Sequence, residues 1–320
     1  MSEFIEGVKS AGNIAVLIPC YNEQTTIQKV IRDFRAALPE AAIYVFDNNS
    51  TDDSRALAQA AGAIVIREKR QGKGFVVAAM LRKVKADYYV MVDADDTYPA
   101  EYSRALLQPL FDEQADMVVG QRLSDHEEHA FRFLHLFGNK AICSLINSIF
   151  HSDLRDPLSG YRAFTREVAL QLPVVASGFD VETELTLQML YRQFVIREVS
   201  VTYRARPTDS PSKLSTFKDG FRVLMKIFLI LRSYKPLTFF GGLGIICEIV
   251  AFAIILFLLP LRPEQTNDVP ILLFTLSSSL FMIGILLAVM GVFLNSLNFR
   301  LLEDMSTITK QINDKESPQE

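Results

Sequence analysis

Tyr88-Tyr89-Val90-Met91-Val92-Asp93-Ala94-Asp95 runs five apolar or aromatic residues into a pair of carboxylates. An unbroken run of that kind suits a buried strand of a parallel sheet. Residues two apart on a strand face the same side, so Asp93 and Asp95 are expected to present both carboxylates to one point. Paired hard oxygens suit Mg²⁺ or Mn²⁺, and a metal held there would bridge to the diphosphate of a nucleotide. The plainer alternative is a solvated acidic loop continued by Asp96. The flanking sequence decides between them.

Outward from this stretch, strand-like and helix-like segments alternate. Strands are expected at 14–18, 43–46, 63–66, 88–92 and 116–119. Helices are expected between them at 25–38, 53–61, 73–84 and 101–111. This alternation implies an α/β fold with a mainly parallel sheet, in which ligands bind beyond the carboxyl ends of the strands. Polar clusters stand at those ends. Pro19-Cys20-Tyr21-Asn22-Glu23 follows the first strand and Asp47-Asn48-Asn49-Ser50-Thr51-Asp52 the second. Each has a structural alternative: Asn22 as a helix N-cap, and an Asx turn followed by an Asp cap. Gln71-Gly72-Lys73-Gly74 opens a helix, where glycines admit an anion to the backbone and a lysine adds charge. Its spacing is not that of a Walker A loop, and no G-x-G-x-x-G follows the first strand, which speaks against NTPase and dinucleotide folds.

A net charge of −4 with mixed acids and bases gives no overall basic character, so no nucleic-acid partner is expected. Cys20, Cys143 and Cys247 are far apart and lack metal-ligand spacing, which fits a reducing cytosol. The first thirteen residues lack the apolar core of a signal peptide.

The C-terminal third reads differently. Residues 237–259 are apolar except Thr238 and Glu248, and 269–297 carry no charge, each long enough to cross a bilayer. Arg222, Lys226, Arg232 and Lys235 precede the first stretch, Arg300 and Lys310 follow the second, and only Arg262 lies between. That bias places both termini in the cytoplasm, on the inner face of a plasma membrane. Residues 211–235, with six basic residues from Lys213 to Lys235, are expected to form an amphipathic helix on anionic headgroups. Glu248 would sit in the middle of the first span, where a carboxylate is costly. Gly241, Gly242 and Gly244 would allow close helix contact and a homo-oligomer. The expected organisation is a catalytic domain over 1–210, the amphipathic helix, spans within 236–300, and a polar tail over 301–320, disordered from about Thr307.

Taken together and in order, Pro19-x-Tyr21-Asn22-Glu23, Asp47 to Asp52, Gly72-Lys73-Gly74 and Asp93-Ala94-Asp95 resemble the family 2 inverting glycosyltransferases of GT-A fold. The resemblance implies that Pro19, Tyr21, Glu23, Asp47, Asn49, Lys73, Asp93 and Ala94 bind a nucleotide-sugar. It also implies that Asp93 and Asp95 hold the metal. Asp156-Pro157-Leu158-Ser159-Gly160-Tyr161-Arg162 is similar to the D-x-x-S-G-[FY]-R segment of the branch that glycosylates polyprenyl phosphates. By the same likeness Arg122, Arg204, Arg206 and Lys213 would hold the lipid phosphate, while Asp95 and Asp156 would be catalytic. Two departures stand out: Asp209-Ser210-Pro211 replaces a motif glycine, and Thr97 stands where dolichyl-phosphate mannose synthases often carry glutamine. With the two spans, this likens the chain to bacterial polyprenyl-phosphate glucosyltransferases. The expected reaction is transfer of a hexose, best read as glucose from UDP-glucose, to undecaprenyl phosphate with inversion, GDP-mannose being the alternative donor. A processive polysaccharide synthase would carry Q-x-x-R-W, and the chain has no tryptophan. A non-catalytic membrane scaffold is disfavoured by the intact carboxylate pair.

Overall fold

The computed structural model describes residues 13–123, 130–172, 181–204, 225, 228–258 and 269–316. Arg206 and Lys213, and most of the expected amphipathic helix, lie outside the described residues. The chain divides into two compact units, residues 1–221 and 222–320.

The first unit is built on a seven-stranded sheet. Its strands are β1 (Ile14–Cys20), β2 (Ala42–Asp47), β3 (Ile64–Arg67), β4 (Tyr88–Met91), β5 (Met117–Leu123), β6 (Arg162–Thr165) and β7 (Ile196–Thr202). Their spatial order is β3-β2-β1-β4-β6-β5-β7. All neighbours pair parallel except β6, which runs antiparallel to both β4 and β5. The helices are α1 (Ile27–Ala37), α2 (Ser54–Ala60), α3 (Lys73–Lys83), α4 (Ser103–Phe111), α5 (Ala130–Phe150), α6 (Arg166–Gln171) and α7 (Val181–Tyr191).

Strand β1 is apolar throughout because both its faces are covered. Val16 and Ile18 join Ile27, Val30 and Phe34 of α1 and Leu106 and Leu110 of α4 on one side. Ala15 and Leu17 join Val76 and Met80 of α3 and Leu185 of α7 on the other. The spacing of three and four between Ile27, Val30, Ile31 and Phe34 is what gives α1 its buried stripe. Every element expected up to residue 119 is present within a few residues. Strand β5 continues to Leu123, so Arg122 lies within the strand rather than after it.

In the second unit, one helix spans Pro236–Leu258 and another spans Val269–Glu316. Both contain stretches long and apolar enough to cross a membrane, Pro236–Leu258 and Ile271–Leu301. The two helices pack on each other through glycine. A Cβ on Gly244 would lie 2.8 Å from the carbonyl oxygen of Gly284, and one on Gly284 would lie 2.5 Å from Oε1 of Glu248. Gly244 therefore serves this hairpin, whereas a Cβ on Gly241 or Gly242 would meet nothing within 4 Å. Inside the hairpin, Ser277 donates to the carbonyl of Ala251 at 2.9 Å.

The second helix does not stop near Leu297 as expected. Asn298 donates to the carbonyl of Ser233 at 2.9 Å, and the helix runs on to Glu316. The physical reason is compositional. Between Asn298 and Glu316 there is neither glycine nor proline, and Pro318 is the first residue able to stop it. The expected disorder from Thr307 is corrected as far as Glu316.

Candidate active site

An open cleft of about 310 Å³ lies beyond the carboxyl ends of β1, β2 and β4. Its lining includes Pro19, Tyr21, Glu23, Lys73, Asp93, Ala94 and Asp95, so seven of the residues singled out in the sequence meet there. Asp47 and Asn49 are not among the lining residues; Asn48 is. Asp47 is buried, and its Oδ1 accepts from the amide of Ser50 at 3.1 Å. Asn49 turns to the carbonyl of Lys69 at 2.9 Å. Asn48 instead joins the second and third loops, donating to the carbonyl of Arg70 at 2.7 Å and accepting from the Gly72 amide at 2.8 Å.

The first two loops are likewise laced together. Asn22 does not cap α1: its Oδ1 accepts from the amide of Thr51 at 2.8 Å. Glu23 and Gln24 donate their amides to Ser54 and Asp52. Asn22, Asn49 and Asp96 all adopt positive φ, a left-handed conformation that Asn and Asp bear better than most residues. Gly72, at φ +133°, opens α3 where few side chains would be tolerated.

The Asp93-Ala94-Asp95 sequence is not on a strand. Strand β4 ends at Met91, and the carboxylates stand in the turn that follows. Strand alternation thus does not explain their convergence; the turn does. Thr26 donates to the carbonyl of Ala94 at 2.7 Å, and Thr97 donates both its amide and its hydroxyl to Oδ1 of Asp95, the latter at 2.6 Å. Thr97 thus fixes the carboxylate beside it.

Asp93 is gripped by Lys73, whose Nζ lies 2.5 Å from Oδ1 of Asp93 and 2.5 Å from Oε1 of Glu182. Burial works against the Lys73 ammonium, but Asp93 and Glu182 outweigh it and hold the lysine well above its usual range. Burial and the neighbouring charge of Glu182 push the Asp93 carboxyl up, with Lys73 opposing them. Glu182 carries no motif signal: α7 reads Val-Glu-Thr-Glu-Leu-Thr-Leu without a polar face, and its partner Lys73 is 109 residues away.

Behind the cleft, the 156–162 segment closes on Asp93. A Cβ on Gly160 would come within 2.5 Å of Oδ2 of Asp93. Arg162 is fully buried and holds this segment from within, donating to the carbonyls of Pro157, Ser159 and Glu182. Burial pulls its guanidinium down to about 10. Tyr98 accepts from the Gly160 amide at 3.2 Å and meets Ser159 at 3.3 Å.

Asp156 is clasped by Arg122. Nε and Nη2 of Arg122 reach its two oxygens at 2.7 and 2.8 Å, a bidentate pair. The same guanidinium lies 5.5 Å from the Tyr203 ring. Arg204 donates its amide to the carbonyl of Thr97 at 2.9 Å and approaches Asp96 at 3.5 Å, beside the Asp93–Asp95 turn.

Among the described residues no three His, Cys, Asp or Glu side chains form a metal-holding cluster. The Asp93 and Asp95 pair still fits Mg²⁺ or Mn²⁺, since such ions are commonly held by one or two carboxylates with water and phosphate completing the shell.

A mainly parallel α/β sheet with paired carboxylates in the turn after a central strand is the arrangement of the GT-A fold. Glucosyl-3-phosphoglycerate synthase from Mycobacterium tuberculosis, solved with Mn²⁺, UDP-glucose and phosphoglyceric acid, superposes with a TM-score of 0.54 at 25% identity, over 69% of this chain and 79% of that one. The family profile "Glycosyl transferase family 2" matches residues 15–172. The chain is 37% identical to "Glycosyltransferase AglJ" of Haloferax volcanii over 232 residues, 72% of this chain and 76% of the relative. It is 30% identical to "Dolichyl-phosphate hexose transferase" of the same organism over 208 residues, 65% of this chain and 89% of the relative. The chain belongs to glycosyltransferase family 2.

Proposed function

We propose that this enzyme transfers a hexose from a nucleoside-diphosphate sugar to the phosphate of a polyprenyl lipid at a membrane surface, with UDP-glucose as donor. The observation that carries the reading is the junction of two half-sites. The cleft with Lys73, Asp93 and Asp95 abuts, through Gly160, the 156–162 segment, whose Asp156 is paired with Arg122 of β5. Likeness to a dolichyl-phosphate hexose transferase supports the lipid acceptor. Likeness to a structure holding UDP-glucose and Mn²⁺ supports the donor and the metal. The two apolar helices support a membrane location, and the flanking Lys and Arg residues support cytoplasmic termini.

In this reading Tyr21, Glu23 and the Gly72–Lys73 start of α3 seat the nucleotide, the helix N-terminus favouring its diphosphate. A divalent cation at Asp93 and Asp95, when bound, supplies positive charge to the leaving nucleoside diphosphate. Thr97 and Lys73 keep those carboxylates in place. The acceptor phosphate is already an oxyanion, so one of its oxygens attacks the anomeric carbon without a strong base. The bond from that carbon to the diphosphate breaks with its electron pair, inverting an α-linked donor to a β-linked product. What remains for the protein is placement. Arg122 and Arg204 are the described cations for the acceptor phosphate, and Asp156 sets the orientation of the Arg122 fork.

The test is transfer of radiolabelled sugar from a panel of UDP- and GDP-sugars into the organic phase, with purified protein, undecaprenyl phosphate and Mn²⁺ or Mg²⁺. Label entering lipid from UDP-glucose and lost with EDTA is expected. No lipid label from any donor, in protein that still binds UDP, would refute the acceptor.

A further inference from the structure

Lys73 presents a difficulty for the metal reading. An ammonium on Oδ1 of Asp93 neutralises that carboxylate and competes with any cation for its oxygen. Glu182 alters the balance. It takes the same ammonium at the same 2.5 Å, so the lysine is shared between two acids rather than given to one. With Asp95, three carboxylates then face one ammonium, leaving two negative charges where only one would remain without Glu182.

The position of Glu182 is built, not incidental. It sits in the first turn of α7. Its own carbonyl accepts from Arg162 at 2.9 Å and from Thr186 at 3.0 Å. Arg162 and Thr186 both donate also to the carbonyl of Pro157, at 2.7 and 2.8 Å. The backbone carrying Glu182 is therefore tied to the 156–162 segment, whose Gly160 packs on Asp93.

We propose that Glu182 is a positioning residue for the metal: by sharing Lys73 it leaves the Asp93–Asp95 pair with a net double negative charge, which strengthens its hold on a divalent cation. This rests on the metal reading of Asp93 and Asp95 given above. Partners one shell away from a metal commonly change its affinity 10- to 100-fold.

The test is Mn²⁺ binding to the full chain in detergent without nucleotide, read from the free-Mn²⁺ electron paramagnetic resonance signal, so that no contact of Lys73 with donor enters. Glu182→Gln is expected to weaken Mn²⁺ binding about tenfold. The double variant Lys73→Met/Glu182→Gln removes one charge of each sign and is expected to return to within about threefold of the parent. Melting temperature and circular dichroism check that each variant is folded, and Glu182→Ala, which also removes the charge, serves with the same expected outcomes if Glu182→Gln is not. Parent-like Mn²⁺ affinity in folded Glu182→Gln would overturn the proposal. A double variant as weak as the single one would overturn it too, since Glu182 would then not act through Lys73. Parent protein that binds no Mn²⁺, with UDP or without, would overturn the metal reading itself and this inference with it.

Discussion

Replacing Gly160 with alanine tests whether the acceptor-side segment and the carboxylate turn form one unit. The added Cβ would stand 2.5 Å from Oδ2 and 3.2 Å from Cγ of Asp93. Non-bonded heavy atoms prefer about 3.5–4.0 Å, so roughly 1 Å of separation must be found. Asp93 cannot yield by rotation alone, because Lys73 holds its other oxygen. The segment cannot retreat freely either, because Arg162 and Tyr98 pin Ser159 and Gly160. A displacement of about 1 Å at reacting groups costs on the order of 100-fold in rate, or about 2.7 kcal/mol of transition-state stabilisation. Overpacking costs about 1–3 kcal/mol in stability, which leaves the domain folded. The assay is kcat/KM for sugar transfer, with UDP affinity and melting temperature alongside. Gly120→Ala is the comparison, since its Cβ would meet Tyr161 and Val201 at 3.3 Å, a clash of only a few tenths of an ångström. Folded Gly160→Ala with the kcat/KM of the parent would refute the mechanical link between Gly160 and Asp93.

Asp95→Ala is expected to abolish metal-dependent transfer while the protein stays folded; activity equal to the parent would sink the metal assignment. Thr97→Val deletes the 2.6 Å hydroxyl bond to Asp95 and should lower kcat/KM about tenfold, with Thr97→Ser largely restoring it. Arg162→Met leaves three carbonyls without their shared donor and should destabilise the catalytic unit by about 3 kcal/mol, lowering its melting temperature by roughly 6–12 °C; an unchanged melting curve would contradict its role as internal support. Burial pushes the Cys20 thiol up to about 12, so it stays protonated at pH 8 and should resist iodoacetamide in the folded protein although it lines the cleft; rapid alkylation there would show that the thiol is exposed or ionised.

Much of the first unit was legible because parallel strands buried on both faces read as apolar runs, each ending in a polar cluster. The two aspartates do share a cleft, yet the reason lies in a turn after Met91 and not in strand alternation. The place of Asn48 in the cleft lining, beside Asp47 and Asn49 that the resemblance singled out, was not legible, because its side chain bridges the second and third loops through Arg70 and Gly72, a contact no local pattern announces. Glu182 was invisible since it meets Lys73 only through the tertiary fold. Strand β6, four residues of Arg-Ala-Phe-Thr, is too short to announce itself, and its antiparallel place between β4 and β5 is fixed by pairing partners far away in sequence. The continuation of the last helix could have been found, since nothing before Pro318 breaks it.

The placement of β6 also sets an order of assembly during synthesis. Strands β1 to β4 pair in parallel with one another, and of these β4 alone also pairs with β6, so that half can form once residue 91 is free of the ribosome. Strand β5 has no such option. Its partners are β6 and β7, and its Met117-Val118-Val119 edge must wait until Thr165 has been made, 42 residues beyond Leu123. At about 5–20 residues per second that is a delay of roughly 2–8 s in which an apolar strand is present without a ladder. The nucleotide half of the cleft therefore precedes the clasp of Gly160 and Glu182, and the interval between them is when the nascent chain is most exposed to mispairing.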